Sequence, residues 1–398
     1  MSETPVALAT SSTLKLRKVA AWRGIRVLAW DGGVLCGCRG YQIVCLRFSP
    51  KNVNPKNVSP KPNNVRPPSD NTAEWEAVAR FRPAWWRNLT SRNALSYRLM
   101  RDGFHALAIL GSAQHEENSV PVNLPMHNQT MVGAVPGALV TRTSGCEEFH
   151  VTHRVRRGTR PLHVTAVPSG RIYWGEYFDN RERAEVHIYI STDSGRTWQI
   201  AYTFSAGSIR HVHNIVYDRW RDCLWILTGD EGTECKVLRA DCDMRSVEVV
   251  LSGSQQTRAV AAIPTERGLY LSTDTPFEKN RVYRFDRAGS IEAVGDLASS
   301  SIFGCSVGRH PDQAIFFSTL VEPSTVNAGQ EVHLAGSRDG SNWQVLARWT
   351  KDALPMRYFQ YGNAFLPDGE NSTRYLAATT IAVEADDLVT TLWEVEPA

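Results

Sequence analysis

Between Leu162 and Phe204 the chain passes through four short strand-like segments: LHVTAV, RIYWGEYF, VHIYIS and TWQIAYTF. Each is rich in β-branched and aromatic residues and is bounded by turn formers such as Gly, Pro, Asp and Ser, the signature of strands joined by tight connections. The rhythm then repeats. HVHNIVYD, CLWILTGD, KVLRAD and SVEVVLSG fill 211–253, and TRAVAAIP, GLYLSTD, RVYRFDR and SIEAVGDL fill Thr257–Leu297. SIFGCSVG, AIFFSTLVE, VHLAGSRDG and NWQVLARW follow from Ser301 to Trp349. A final unit, YFQYGNAF, RYLAATTIA and TLWEVEPA, stops one strand short. No stretch keeps the three-and-four apolar spacing of an amphipathic helix.

Four-stranded units recurring every 40–50 residues or so are the pattern of a β-propeller, in which sheets pack radially around an axis. LKLRKVAAW, at Leu14–Trp22, supplies the missing outer strand and closes the ring from the N-terminus. The remaining N-terminal chain divides into two more units. IRVLAWD, GVLCGCRG, YQIVCLRF and EWEAVARF form the first; ALSYRLM, FHALAILG, ALVTRTSG and FHVTHRV form the second. The expectation is one all-β domain over 1–398 with seven four-stranded blades, and six blades as the alternative because the second unit is the least regular. Residues 49–70, SPKNVNPKNVSPKPNNVRPPSD, interrupt the first unit with a Pro/Asn/Lys tract that cannot bury a core. That tract is expected to be a disordered, solvated insertion and not a domain boundary, since strands flank it on both sides.

Composition removes several function classes. The 44 Lys+Arg against 41 Asp+Glu leave a formal net charge of +3 with no basic stripe, which points away from nucleic acid. No apolar run reaches the roughly 18 residues of a membrane span. The opening MSETPVALATSSTLKLRK places its basic residues after a weakly apolar stretch, the reverse of a secretory signal, so a cytoplasmic location is expected. Eight irregularly spaced cysteines then read as free thiols. The oligomeric state is not fixed by any feature of the sequence.

Ser191-Thr192-Asp193-Ser194-Gly195-Arg196-Thr197-Trp198 fits the Asp-box pattern S/T-x-D-x-G-x-T-W, and Ser337-Arg338-Asp339-Gly340-Ser341-Asn342-Trp343 is a variant one residue shorter. Each falls between the third and fourth strands of its unit. The carboxylate and hydroxyl bond the turn backbone, Gly permits the bend and Trp anchors the outer strand. The chain therefore resembles the Asp-box, or bacterial neuraminidase repeat, propellers, a superfamily that includes sialidases. The resemblance implies that Asp193 and Asp339 are structural and lie away from the ligand face. It also implies, for a strict sialidase, an N-terminal Arg-Ile-Pro and an arginine triad; the first is absent, and Arg82-Pro83 and Arg66-Pro67 are poor substitutes. Strict sialidase activity is disfavoured.

Propeller topology places candidate site residues. The start of each first strand and the end of each second strand emerge on one face, close to the axis. Read off the units, these ends supply His163, Glu176 and Tyr177 from the third, and Arg210, His211, His213, Asp230 and Glu231 from the fourth. Arg258 and Asp274 come from the fifth, Glu322 from the sixth, and Arg357 with Tyr358 from the seventh. The segment His115–Gly137 is long enough to form a lid or specificity wall on that face. His211-x-His213 suits a divalent metal, but spacing fixes no third ligand; no metal is assigned and a divalent cation stays an option.

The leading expectation is an enzyme acting on an acidic, uronate-type oligosaccharide at the axial funnel. Arg258 or Arg210 would hold the carboxylate. In β-elimination, His211 or His213 would take the proton and Tyr177 would protonate the leaving oxygen, a residue set resembling that of propeller polysaccharide lyases in types only. In hydrolysis, a pair drawn from Asp230, Asp274, Glu176 and Glu322 would act. The alternative is a non-catalytic propeller that binds a glycan or protein on the same face.

Overall fold

A computed structural model describes residues 13–48, 75–91, 94–110 and 125–396. The chain is a seven-bladed β-propeller. Blades 3 to 6 each form one four-stranded antiparallel sheet in simple up-and-down order, running from Thr165 to Phe204, Val212 to Ser252, Ala259 to Leu297 and Ser301 to Thr350. Their second strands, Cys223–Thr228, Gly268–Thr273 and Ala314–Thr319 among them, are buried at every position. Adjacent blades cover both faces of such a strand, so it reads as an unbroken apolar run. Outer strands such as Val247–Ser252 have no fully buried position.

The ring closes as expected. Leu16–Arg23 pairs antiparallel with Val389–Val395 and completes blade 7 outside Tyr375–Ile381 and Asn363–Phe365. Blade 1 comprises Arg26–Gly32, Val34–Arg39, Gln42–Arg47 and Glu76–Phe81. The Pro/Asn/Lys tract 49–70 lies outside the described residues.

Blade 2 departs from the expected strand assignment. Ala94–Met100, expected as its first strand, is a helix. ALSYRLM contains no β-branched residue and several strong helix formers, and no sheet edge competes for it. The four strands are instead Ala106–Leu110, Thr130–Val135, Ala138–Arg142 and Glu148–Arg154. Thr130–Val135 thus lies within the segment expected to be a lid. The pairing of Leu110 with Thr130 sets those residues at the end of the blade opposite Ala106, so 125–130 lies away from the ligand face, and the strand then runs back to bring Val135 and Gly137 to that face. Residues 111–124 lie outside the described set. Met356–Phe359 is likewise a short helix, so Arg357 and Tyr358 precede blade 7 instead of opening its first strand.

The innermost strand of blade 7 splits after Phe365. Asp368–Asn371 swings away to run parallel with Ala29–Gly32 of blade 1. From there it reaches across the axis: Asp368 meets His163 of blade 3 at 2.9 Å, Glu370 meets Arg219 of blade 4 at 2.8 Å, and Asn371 O accepts the Gly308 N–H of blade 6 at 3.1 Å. The strand thus ties blades 1, 3, 4 and 6 together near the axis.

Both Asp turns have the expected geometry. Asp193 accepts the Arg196 and Thr197 N–H groups at 3.1 and 2.9 Å and the Thr197 hydroxyl at 2.7 Å, while Asp339 accepts the Ser341 and Asn342 N–H groups at 2.8 and 2.7 Å. Burial opposes ionisation, but these donors outweigh it and bring each carboxyl down to about 2. Ile172 pairs with Ser191 and Gly175 with Ile188, so the Asp193 turn lies at the end of blade 3 opposite Glu176.

Candidate functional site

The fourth blade begins with Arg210, His211 and His213, and Asp230 follows its second strand; antiparallel pairing of Val212 with Thr228 brings these ends together. His211 Nδ1 lies 3.0 Å from Phe178 O and His213 Nδ1 lies 2.9 Å from Ala259 O. A carbonyl only accepts, so both Nδ1 atoms carry hydrogen and both Nε2 atoms face inward. The two Nε2 atoms are 3.1 Å apart, and Asp230 lies 3.4 Å from the first and 3.3 Å from the second. Burial, then the neighbouring His213, pushes His211 below the usual imidazole range. Burial acts against ionised Asp230, yet the two histidines hold its carboxyl well below the usual carboxylate range.

Arginines complete the cluster. Arg258 Nη2 is 3.3 Å from Asp230 and 3.2 Å from Asp274, and Arg210 bridges Asp230 at 3.1 Å to Asp179 at 2.5 Å. The Tyr177 ring packs on His211 with centroids 4.3 Å apart. Burial, then the charges of Asp230 and Asp274, pushes its hydroxyl up to about 12. Glu322 bonds the Ser300 hydroxyl, and burial with help from Asp274 raises its carboxyl. Eight residues read from the sequence therefore converge: Tyr177, Arg210, His211, His213, Asp230, Arg258, Asp274 and Glu322.

The other expected residues lie apart. Glu176 is buried in a two-pronged pair with Arg157 and accepts the His187 N–H at 2.9 Å, so its carboxylate is committed to the blade. His163 is taken up by Asp368. Glu231 is exposed, 3.6 Å from Arg183. Arg357 and Tyr358 lie exposed on the short helix before blade 7, with the guanidinium 5.6 Å from the ring.

A second set was missed by sequence reasoning. Arg26 begins the first strand of blade 1, Arg101 and His105 precede that of blade 2, and Arg160 precedes that of blade 3. Arg26 Nη1 is 3.4 Å from His105 Nδ1. Burial, then Arg160 and Arg26, pushes His105 well below the imidazole range. Burial, then Arg26, brings the Arg160 guanidinium down to about 10. Among the described residues none of Arg26, Arg101 and Arg160 has a carboxylate partner. The strand-start rule points to Arg26 and Arg160 on blades 1 and 3 as they stand, and to His105 once blade 2 is registered correctly.

Outward from Arg26, on the same face, a groove of about 860 Å³ crosses blade 1. Arg23, Arg26, Arg39, Arg80 and Arg82 line it together with Tyr41, Phe81, Trp85 and Tyr97, and its lining includes no Asp or Glu. The outer wall is made by helices α1 (Trp85–Thr90) and α2 (Ala94–Met100), in the connection between blades 1 and 2. Asp102 fixes α1 by accepting from Arg87 at 2.7 Å, Thr90 at 2.6 Å and Tyr41 at 3.0 Å. Arg98 fixes α2 to the edge of blade 7 through Asp352 and through Phe359 O at 2.9 Å. Trp85 is 80% and Leu89 67% exposed, and Leu95, Leu99 and Met100 extend the apolar surface.

No protein-family model matches the chain, and no curated protein matches it in sequence. Solved propellers match its shape. The WD40 β-propeller domain of Doa1 aligns over 97% of this chain and 98% of its own, with TM-score 0.52 and 8% identity. The β-propeller domain of Cps50 (Swd1) from Myceliophteria thermophila covers 96% and 100%, with TM-score 0.53 and 10% identity. A chain of a mitotic checkpoint complex covers 100% and 97%, also at TM-score 0.53 and 10% identity. Identities this low establish the fold alone. No helix among the described residues is long and apolar enough to cross a membrane.

Proposed function

We propose that this chain is a non-catalytic propeller that docks an acidic protein segment carrying an aromatic or aliphatic anchor in the groove over blade 1. The observation that carries this reading is five lining arginines with no lining carboxylate. Arg80 and Arg82 share only Glu148, at 2.9 and 2.5 Å, and the other three have no carboxylate partner among the described residues. Uncompensated guanidiniums recruit anions and steer encounter. The exposed Trp85 and Leu89 beside them supply the apolar contact that anchors an interface. The two Asp turns support a place for the chain among the Asp-box propellers.

Selection from a random peptide display library on the full chain tests the reading. Enriched peptides are expected to carry Asp or Glu flanking Trp, Phe or Leu, and Arg39→Glu with Arg82→Glu should abolish their binding. Enrichment without net negative charge, unchanged binding by the charge-reversed protein, or tighter binding of an RNA homopolymer would overturn it.

Proton chemistry on an acidic oligosaccharide is the second reading, favoured by the compact set His211, His213, Tyr177 and Arg258 and by the raised Glu322 carboxyl. Absorbance near 235 nm during incubation with uronate oligosaccharides, lost in Tyr177→Phe, would support it; unchanged absorbance and reducing ends would remove it.

A further inference from the structure

Two lone pairs and a carboxylate converge in blade 4. Because Phe178 O and Ala259 O take the Nδ1 hydrogens, the inward Nε2 atoms of neutral His211 and His213 are both acceptors, and they stand 3.1 Å apart beside Asp230. Three acceptors at this separation repel one another unless a positive charge lies among them. Either a proton on one Nε2 or a metal ion would serve.

An Nε2–H···Nε2 bond would also span 3.1 Å, so it is the carboxylate distances that bear on the choice. An imidazolium donating to a carboxylate draws it to roughly 2.7–2.9 Å. The observed separations are 3.3 and 3.4 Å. Donors bound to zinc at about 2.0–2.1 Å with tetrahedral angles lie about 3.3 Å from each other. The two Nε2 atoms stand 3.1 Å apart, near that figure, and each faces its own Asp230 oxygen, His213 facing Oδ1 at 3.3 Å and His211 facing Oδ2 at 3.4 Å.

We propose that His211 Nε2, His213 Nε2 and Asp230 bind one divalent ion of the imidazole-preferring class, with Zn²⁺ the best fit. The outer shell is the one such sites use: each ligating ring donates its other N–H to a backbone carbonyl, which fixes tautomer and orientation. Two guanidiniums also touch Asp230, and each is shared with a second carboxylate, Arg258 with Asp274 and Arg210 with Asp179. Asp179 is shared again with Arg181, so three carboxylates face three guanidiniums and Asp230 is not held by one cation alone. Among the described residues no fourth His, Cys, Asp or Glu joins the group, which leaves a coordination position for water or an anionic ligand.

The untagged full chain, stripped with chelator, is titrated with Zn²⁺ alone and, separately, with Co²⁺. One equivalent of Zn²⁺ per chain is expected, with a melting temperature raised by the metal, and the Co²⁺ form should show the intense visible bands of a four-coordinate site. His213→Gln and Asp230→Asn should each weaken Zn²⁺ binding by about tenfold or more, whereas His333→Gln should leave it unchanged. Less than a tenth of an equivalent bound, or equal binding by wild type and the His211→Gln, His213→Gln double variant, would overturn the proposal. If the variants do not fold, the wild-type Co²⁺ spectrum decides: absent or weak six-coordinate bands reject the site.

Discussion

The α2 part of the groove wall hangs on one side chain, and removing it gives a quantitative test. Arg98 is 3% exposed and is the only buried residue of α2. Its Nε and Nη2 donate to Phe359 O at 3.1 and 2.9 Å, and its Nη1 pairs with Asp352. Arg98→Met keeps the aliphatic stem and removes these three interactions together with the longer 3.7 Å pair to Asp387. Removing one partner of a buried ion pair costs about 3–5 kcal/mol when the other charge is stranded. Asp352 keeps Lys351, so a cost of about 2–3 kcal/mol is expected here. A helix of seven residues has no stability of its own, so the cost falls on local opening of the insertion and not on the propeller. About 2–3 kcal/mol corresponds to roughly a 30- to 150-fold rise in the open population. Trypsin cleavage after the exposed Arg101 should accelerate by that factor when reclosing is fast, with the global melting temperature unchanged. Acceleration of less than about threefold, or a melting temperature that falls in step with it, would refute the assignment of α2 as a separately clamped element.

Two further perturbations test the frame that holds the site. The folded Asp193 carboxyl titrates at about 2 against an ordinary 3.8, so its stabilisation is complete above about pH 4 and is lost as the pH falls towards 2. Discounted for its solvent contact, Asp193→Asn should cost about 1–2 kcal/mol in urea melts at pH 7 and markedly less at pH 3, and a pH-independent cost would exclude the charge as its source. At the seam of blades 3 and 4, a Cβ on Gly175 would stand 2.4 Å from Val212 Cβ. Gly175→Ala should therefore lower stability by about 1–3 kcal/mol in denaturant titration, and a neutral result would mean that the seam next to His211 yields easily.

The blades that were legible share a physical cause. Strands such as Cys223–Thr228 and Ala314–Thr319 are covered by blades on both faces, so selection for burial writes them as continuous apolar runs. Blade 2 lacked that clarity because its first strand, Ala106–Leu110, is separated from the second by far more than a hairpin turn, and a nearby helix offered a competing apolar segment. The resulting slip of one strand hid His105, whereas Arg26 and Arg160 stand at the starts of blades whose strands were legible. For the axial cluster, topology alone brought His211, His213 and Asp230 to one end of one blade. What it could not give was pairing: that Glu176 belongs to Arg157 and His163 to Asp368 depends on side chains meeting across loops and across the axis.

The groove was illegible for a different reason. Its arginines come from Arg23, Arg26, Arg39, Arg80 and Arg82, positions scattered over the first two blade junctions, and no window of sequence concentrates them. The formal charge of +3 concealed them further, because a sum cannot register separation. On the same face the groove and the Arg26–Arg160 side are cationic, while blades 4 to 6 present Asp230, Asp274 and Glu322. Over a Debye length of about 8 Å at physiological ionic strength, a ligand responds to the nearer patch and not to the total. On the proposed function, an acidic segment would be drawn to blade 1 by charges that the composition of the chain had already cancelled.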